Sequence, residues 1–284
     1  MDRDRRIEVF KETMSLVLNG GYAVGDKKIK FDESDFTKTK SFNVHPDISG
    51  ISPNHKDMSI EVINSDCLYA AEQYVREGNK VCVLNMASFI KPGGGVLNGS
   101  AAQEENLFRR TNLFRSMYRY SEEMFKYTTV EKPLKAYPMP INYGAIYSPS
   151  VTVFRYSEDR DYELMDNPFM VDIISIAAIR KPHLDEDGHL SKWVKDVTKS
   201  KISMMLDIPM INGVDVLVLS SFGCGAFANP PQDIAMLFKE VLDEPKYKNH
   251  FKKVVFAILD DHNAHREHNP EGNLKPFINV FSKK

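Results

Sequence analysis

The chain has 284 residues, 42% hydrophobic and 27% charged, which supplies a sizeable core for one large α/β domain or two small ones. A formal net charge of −2 excludes a general nucleic-acid coat protein, which needs a strong basic excess to neutralise phosphates, and leaves only a local basic pocket open. The three cysteines, Cys67, Cys82 and Cys224, show no C-x-x-C spacing and do not suggest a disulfide framework, which fits a reducing compartment.

The first residues lead into an amphipathic segment without the apolar core of a signal peptide, and no apolar run reaches bilayer-spanning length, so the expected location is cytoplasmic. In chain order, Ile7, Phe10, Met14, Val17 and Leu18 recur every three to four residues and predict a helix over 3–18, stopped by Asn19-Gly20-Gly21. The polar stretch 22–57, with a β-like piece at 28–31, reads together with that helix as an N-terminal extension, 1–57, packed on a main domain over 58–284. There a strand at 60–64 precedes a helix over 67–77 that ends at Gly78-Asn79. The compact apolar run 81–86 fits a strand buried on both faces. Further runs at 151–154, 171–178, 214–220 and 254–259 alternate with helical stretches at 101–126, 191–207 and 231–243. Such alternation implies an α/β fold with a largely parallel central sheet between helix layers. The Tyr- and Pro-rich region 128–170 reads as a long loop-and-strand excursion, a feature often tied to function.

Two glycine loops follow two of these strands. Lys91-Pro92-Gly93-Gly94-Gly95-Val96-Leu97-Asn98-Gly99 precedes a helix whose start matches a capping box, Ser100 at the N-cap and Gln103 reaching back. Ser221-Phe222-Gly223-Cys224-Gly225-Ala226-Phe227-Ala228 leads into a helix with Asn229 as N-cap and Pro230 at the first helical position. Amides in such loops, beside a helix N-terminus, favour a diphosphate, and two loops at equivalent strand ends point to a crevice. Both clusters also fit plain tight turns. Neither is a common nucleotide motif: Asn98 replaces the third glycine of G-x-G-x-x-G, and Ser100 stands where a Walker A loop needs lysine.

Gln103-Glu104-Glu105 opens the helix after the first loop. Taken alone, adjacent glutamates there fit favourable helix-dipole partners. Their combination with the glycine triplet resembles the signature of the poly(ADP-ribose) glycohydrolases. Val83-Leu84-Asn85-Met86-Ala87-Ser88 before Pro92-Gly93-Gly94-Gly95 looks like the bacterial-type branch of that family. So do Ile146-Tyr147-Ser148-Pro149, Val153-Phe154-Arg155 and Gly223-Cys224-Gly225-Ala226-Phe227-Ala228-Asn229. The resemblance covers nearly the whole chain. It implies a macrodomain-like three-layer α/β/α fold with a mixed, largely parallel sheet and an N-terminal helical extension.

The resemblance also implies that Glu105 is the catalytic acid, giving a proton to the leaving oxygen and then taking one from water, with no cofactor and no metal. Burial and the neighbouring Glu104 are expected to raise the Glu105 pKa against the pull of the helix N-terminus. By the same resemblance Glu104 holds ribose hydroxyls, aided by Gln103, and Asn85 or Ser88 lies near the distal ribose. Gly93, Gly94 and Gly95 line the ribose and diphosphate. Gly223, Cys224, Gly225 and Ala226 cradle the diphosphate, and Phe227 packs on the distal ribose. Asp66 contacts adenine or caps the helix at 67–77, and Tyr147 flanks adenine or the leaving ribose, or packs in the core. The implied reaction releases ADP-ribose from poly(ADP-ribose), exo-acting, without a membrane or general nucleic-acid partner. A non-catalytic ADP-ribose-binding module and a mono-ADP-ribosyl hydrolase on protein, nucleic acid or metabolite are the alternatives, with a nicotinamide dehydrogenase more distant. Arg109, Arg110, Arg115 and Arg119 read as a solvated helix face or as phosphate contacts. His262, His265 and His268 read as a polar surface loop in preference to a metal site.

Overall fold

The computed structural model describes residues 1–31, 34–260 and 263–282. Its strands are β1 Gly21–Val24, β2 Lys27–Lys30, β3 Lys40–Phe42, β4 Ser59–Ile63, β5 Val81–Met86, β6 Ala145–Arg155, β7 Leu164–Ile176, β8 Val216–Leu219 and β9 Lys253–Ala257. Its α-helices are α1 Arg3–Leu18, α2 Cys67–Arg76, α3 Gln103–Arg110, α4 Phe114–Met117, α5 Lys192–Ile211, α6 Pro231–Leu242 and α7 Leu274–Phe281. Seven strands are hydrogen-bonded in the order β3-β6-β7-β5-β8-β9-β4, and β1 pairs only with β2. The α/β architecture read from the alternating pattern is present. Two compact units divide the chain: Met1–Ser41 with Asn85–Met139 and Ile146–Ser175, and Phe42–Leu84 with Pro140–Ala145 and Ile176–Lys284.

In the first unit α1 forms where the sequence places it. Asp2 caps it through its side chain, which accepts from the Arg5 amide, and Asn19 ends it. Of the predicted stripe, Phe10, Met14 and Val17 are buried and joined by Val9, while Ile7 is half-buried and Leu18 exposed. The Phe10 ring packs against Phe108, Phe114 and Tyr118 at 6.2–6.4 Å between centroids. The helix expected over 101–126 is broken. After α3, Thr111 turns to extended backbone and bridges Val153 of β6. The Thr111 hydroxyl donates to the Leu107 carbonyl, while Asn112 exchanges hydrogen bonds with Thr152 through its amide and side chain. A strand partner some forty residues downstream thus outcompetes the next helical turn, and α4 with 3₁₀ turns at Tyr118–Tyr120 and Phe125–Tyr127 follows. The excursion expected over 128–170 contains most of two long strands, β6 and β7.

The second unit carries a parallel ladder. β8 pairs with the start of β5 and with β9, and β9 pairs with β4. β8 and the first residues of β5 are buried throughout, as a strand covered on both faces requires. α5 runs to Ile211, past the expected end at 207, and tolerates Pro209 because that residue lies in its last turn, where it costs a single intrahelical donor. His45 is held on α5 by Asp207 and Ser200, at 3.0 and 2.9 Å from its two ring nitrogens. No helix among the described residues is long and apolar enough to cross a membrane.

Candidate active site

The first glycine loop, in the first unit, lies between β5 and α3. The expected capping box is not formed: Ala102 is the N-cap and has no side-chain cap. The Gln103 Oε1 atom instead accepts from the Met86 amide at 2.8 Å, tying the helix start to the strand end. That link fixes α3 with both glutamates against the loop. Glu104 Oε2 accepts from the Ser88 amide at 2.7 Å and its Oε1 from the Gly93 amide at 3.0 Å. Glu105 Oε1 accepts from the Gly95 amide at 2.7 Å. Gly94 stands between, with φ +50°, and a Cβ there would lie within 3 Å of both carboxyl groups. The anion-binding amides read from the sequence are therefore partly engaged by the chain's own glutamates.

Both glutamates are buried, at 3% and 7% exposure for Glu104 and Glu105. Burial pushes the Glu104 carboxyl up to about 8, against the amides of Ser88 and Gly93 and the Asn85 side chain, with Glu105 adding like-charge repulsion. Glu104, with its raised carboxyl, stands directly before the residue that the resemblance makes the acid.

The second loop, in the second unit, starts after β8. Pro230 is the N-cap of α6 and Pro231 its first residue, so the helix begins one position later than expected. Asn229 braces the loop instead of capping the helix, its side-chain amide donating to the carbonyls of Gly223 and Ile179 at 3.0 and 2.8 Å. Gly223, at φ +76°, admits no side chain, since a Cβ would lie 2.6 Å from Asn229 Nδ2 and from Ala178 Cβ. Cys224 is fully buried; its amide donates to the Ser221 carbonyl, and its own carbonyl meets His268 Nε2 and Asn269. Gly225 and Ala226 stay more open, and Phe227 is half-buried. Asp66 caps α2, its Oδ1 accepting from Leu68 and Tyr69 at 2.9 and 3.1 Å, which is the capping alternative.

The model of the catalytic domain of microbial-type PARG matches residues 10–156, just over half of the chain and inclusive of both the glycine triplet and Gln103-Glu104-Glu105. The chain belongs to the microbial-type PARG family. PARG is a poly(ADP-ribose) glycohydrolase, a glycosidase, and the chain carries that enzyme's catalytic domain. Among solved structures it is similar to the poly(ADP-ribose) glycohydrolase of Thermomonospora curvata, at 25% identity and TM-score 0.77, covering 98% of this chain and 100% of that one. The same enzyme bound to the inhibitor ADP-HPD gives 25% identity and TM-score 0.76 over the same shares. The Deinococcus radiodurans enzyme in complex with ADP-ribose gives 28% identity and TM-score 0.61, covering 80% of this chain and 85% of that one. No curated protein matches.

The other residues singled out in this PARG chain fall as follows. Asn85 is fully buried; its Nδ2 donates to the Ser175 hydroxyl at 3.0 Å, and its Oδ1 has no hydrogen-bond partner among the described residues. The Ser88 hydroxyl accepts from the Ile90 amide. Tyr147 is buried and its hydroxyl donates to Asp172 Oδ2. The arginine row is not a solvated face: Arg109 and Arg110 are fully buried and Arg115 nearly so. They cross between elements; Arg110 reaches Asn106 and the Arg155 carbonyl, and Arg115 the Tyr127 carbonyl. His265 contacts the Pro270 carbonyl and His268 the Cys224 carbonyl, while His262 lies outside the described residues; no metal-binding group is present among those described. The sequence reading missed Tyr118 and Tyr137. Their hydroxyls are buried and without hydrogen-bond partners among the described residues, and burial first, then the nearby Glu104, pushes both above the usual tyrosine range. Two phenols thus lie close enough to Glu104 to feel its charge. Tyr118 falls within the helix expected over 101–126 and Tyr137 within the Tyr- and Pro-rich excursion over 128–170, but no motif singles out either.

Proposed function

We propose that this PARG chain hydrolyses the ribose–ribose O-glycosidic bond at the end of poly(ADP-ribose) and releases ADP-ribose. Glu105 protonates the leaving oxygen as the bond breaks through an oxocarbenium-like state, then takes a proton from the attacking water. Glu104 orients the ribose hydroxyls and, with its carboxyl raised to about 8, brings a proton into the site at neutral pH. The observation that carries the reading is the anchoring of both carboxyl groups by amides of the segment between β5 and α3, Ser88 and Gly93 for Glu104 and Gly95 for Glu105. Groups fixed in this way need no reorganisation when the substrate arrives. The second loop takes the diphosphate through the amides of Gly223, Gly225 and Ala226, and Phe227 packs on the distal ribose. Complexes of the bacterial relatives with ADP-ribose and ADP-HPD support that ligand class. Exo-action, the macrodomain assignment and a cytoplasmic location belong to the same reading.

Incubation of the purified protein with poly(ADP-ribose) of defined length, followed by chromatography, tests it. Wild type is expected to release ADP-ribose monomer from the first time point and Glu105→Gln to release none. Equal release by both removes Glu105 from its role. Tight ADP-ribose binding without release by wild type means a binding module, activity only on a mono-ADP-ribosylated acceptor means the other hydrolase, and early long fragments mean endo-cleavage.

A further inference from the structure

The turn that hands the glycine loop to α3 is gripped by two arginines, both within the first unit. Arg3 of α1 donates through Nε to the Asn98 carbonyl, and Arg109 of α3 donates through Nη2 to the Ser100 carbonyl at 2.8 Å. α1 touches this turn closely: a Cβ on Gly99 would lie 2.4 Å from the Arg3 carbonyl. The turn is short and closed, since the amides of Asn98 and Ser100 both return to the Gly95 carbonyl at 2.9 and 3.2 Å. The Gly95 amide in turn holds Glu105 Oε1 at 2.7 Å. Arg109 sits one helical turn beyond Glu105, so the same helix carries the acid and the group that fixes the acid's amide anchor.

Arg109 is an expensive residue to keep for packing alone. It is fully buried, has no carboxylate partner among the described residues, and leaves Nη1 without a hydrogen bond. Its remaining contacts are the Tyr162 hydroxyl at 3.0 Å and the Tyr162 ring face at 5.5 Å. The Arg109 carbonyl accepts from the Thr13 hydroxyl of α1 at 2.6 Å. The N-terminal helix and Arg109 therefore converge on one short turn from two directions.

We propose that Arg109, seconded by Arg3, is a positioning residue for the glycosidase reaction: it holds the turn Gly95–Ser100 so that the Gly95 amide fixes the Glu105 carboxyl. The proposal rests on the reading of Glu105 as the acid. A loosened turn displaces the carboxyl relative to the scissile oxygen, and misplacement of about 1 Å lowers turnover on the order of a hundredfold. Substrate binding, which draws on other groups, is left nearly intact.

The test uses the full chain with Arg109→Met, Arg109→Lys, Arg3→Met and Glu105→Gln. Measured are kcat and KM on poly(ADP-ribose), the pH profile of kcat, ADP-ribose affinity by calorimetry, and the melting temperature. Expected for Arg109→Met is a kcat lower by at least about tenfold, a KM within about twofold, a shifted acid-base limb, and partial recovery of kcat in Arg109→Lys. If Arg109→Met does not fold, Arg3→Met at the exposed end of the same turn is expected to lower kcat by about threefold with the same shift in the pH profile. Wild-type kcat and pH profile in the folded variants, whatever the melting temperature, overturn the brace. An active Glu105→Gln overturns the reading of the acid instead, so the two failures are distinct.

Discussion

Glu104 and Glu105 both close on Gly94: a Cβ built there would lie 2.9 Å from Glu104 Oε2 and 2.6 Å from Glu105 Oε1. Neighbouring helical side chains diverge by about 100°, and the loop reconciles them by offering an amide to each on either side of Gly94 in sequence. Gly94→Ala is therefore expected to displace at least one carboxyl group as well as straining the backbone at φ +50°. Activity on poly(ADP-ribose) should fall by about a hundredfold or more, with a smaller loss of melting temperature. Near wild-type turnover in Gly94→Ala would show that the loop has room the structure does not provide.

The Glu104 carboxyl makes stability fall as pH rises. Its folded pKa, about 8, lies above the ordinary 4.5, so the folded state holds a proton that the unfolded state has released. The stability it contributes is fully present below pH 4.5 and is lost as pH rises through about 8. Within that window each pH unit removes up to about 1.4 kcal/mol. Glu104→Gln, which cannot ionise, is expected to flatten this slope and to be more stable than wild type at pH 9. Urea titrations at pH 5, 7 and 9 on both proteins give the comparison, and parallel slopes would place the proton elsewhere.

The turn before β7 behaves in the opposite sense. The Arg6 side chain, then the N-terminal ammonium, hold the Glu158 carboxyl down at about 2, with Arg6 Nη2 at 2.7 Å from Oε1. That contribution is present above pH 4.5 and is lost as pH falls through about 2. Because the pair is partly solvated, Glu158→Gln is expected to lose only about 1 kcal/mol at neutral pH. A variant curve that meets the wild-type curve near pH 2 is the expected signature; a constant offset down to pH 2 would mean packing and not charge.

The alternating apolar runs made the layers legible, and Gln103-Glu104-Glu105 after three glycines marked the site, because both patterns are local. What escaped depends on partners far along the chain. The helix expected through residue 126 ends at Thr111 because β6, not yet formed in a local reading, offers Val153 as a bridge. The capping box at Ser100 and Gln103 has the right spacing, yet the Met86 amide takes the glutamine oxygen from across the loop. Arginines at 109 and 110 look solvated by type alone; α1 and the turn carrying Tyr162 cover Arg109, and no short-range pattern announces that.

Gly223 and Gly225 separate folding from ligand binding in the second loop. A Cβ at Gly223 meets Asn229 Nδ2 and Ala178 Cβ at 2.6 Å, in a backbone conformation that side chains rarely adopt. At Gly225 the nearest atom, Asn263 Cβ, is 3.5 Å away, an ordinary contact. Gly223→Ala is therefore expected to lower the melting temperature by several degrees, equivalent to about 1–3 kcal/mol, together with activity. Gly225→Ala should melt like wild type. If the diphosphate binds the Gly225 and Ala226 amides as proposed, the added methyl obstructs it, so ADP-ribose affinity should drop by about tenfold. Calorimetry with ADP-ribose, beside thermal melts of both variants, decides the matter. Unchanged affinity in Gly225→Ala would take the diphosphate away from this loop and leave it as a turn whose shape is set by Asn229.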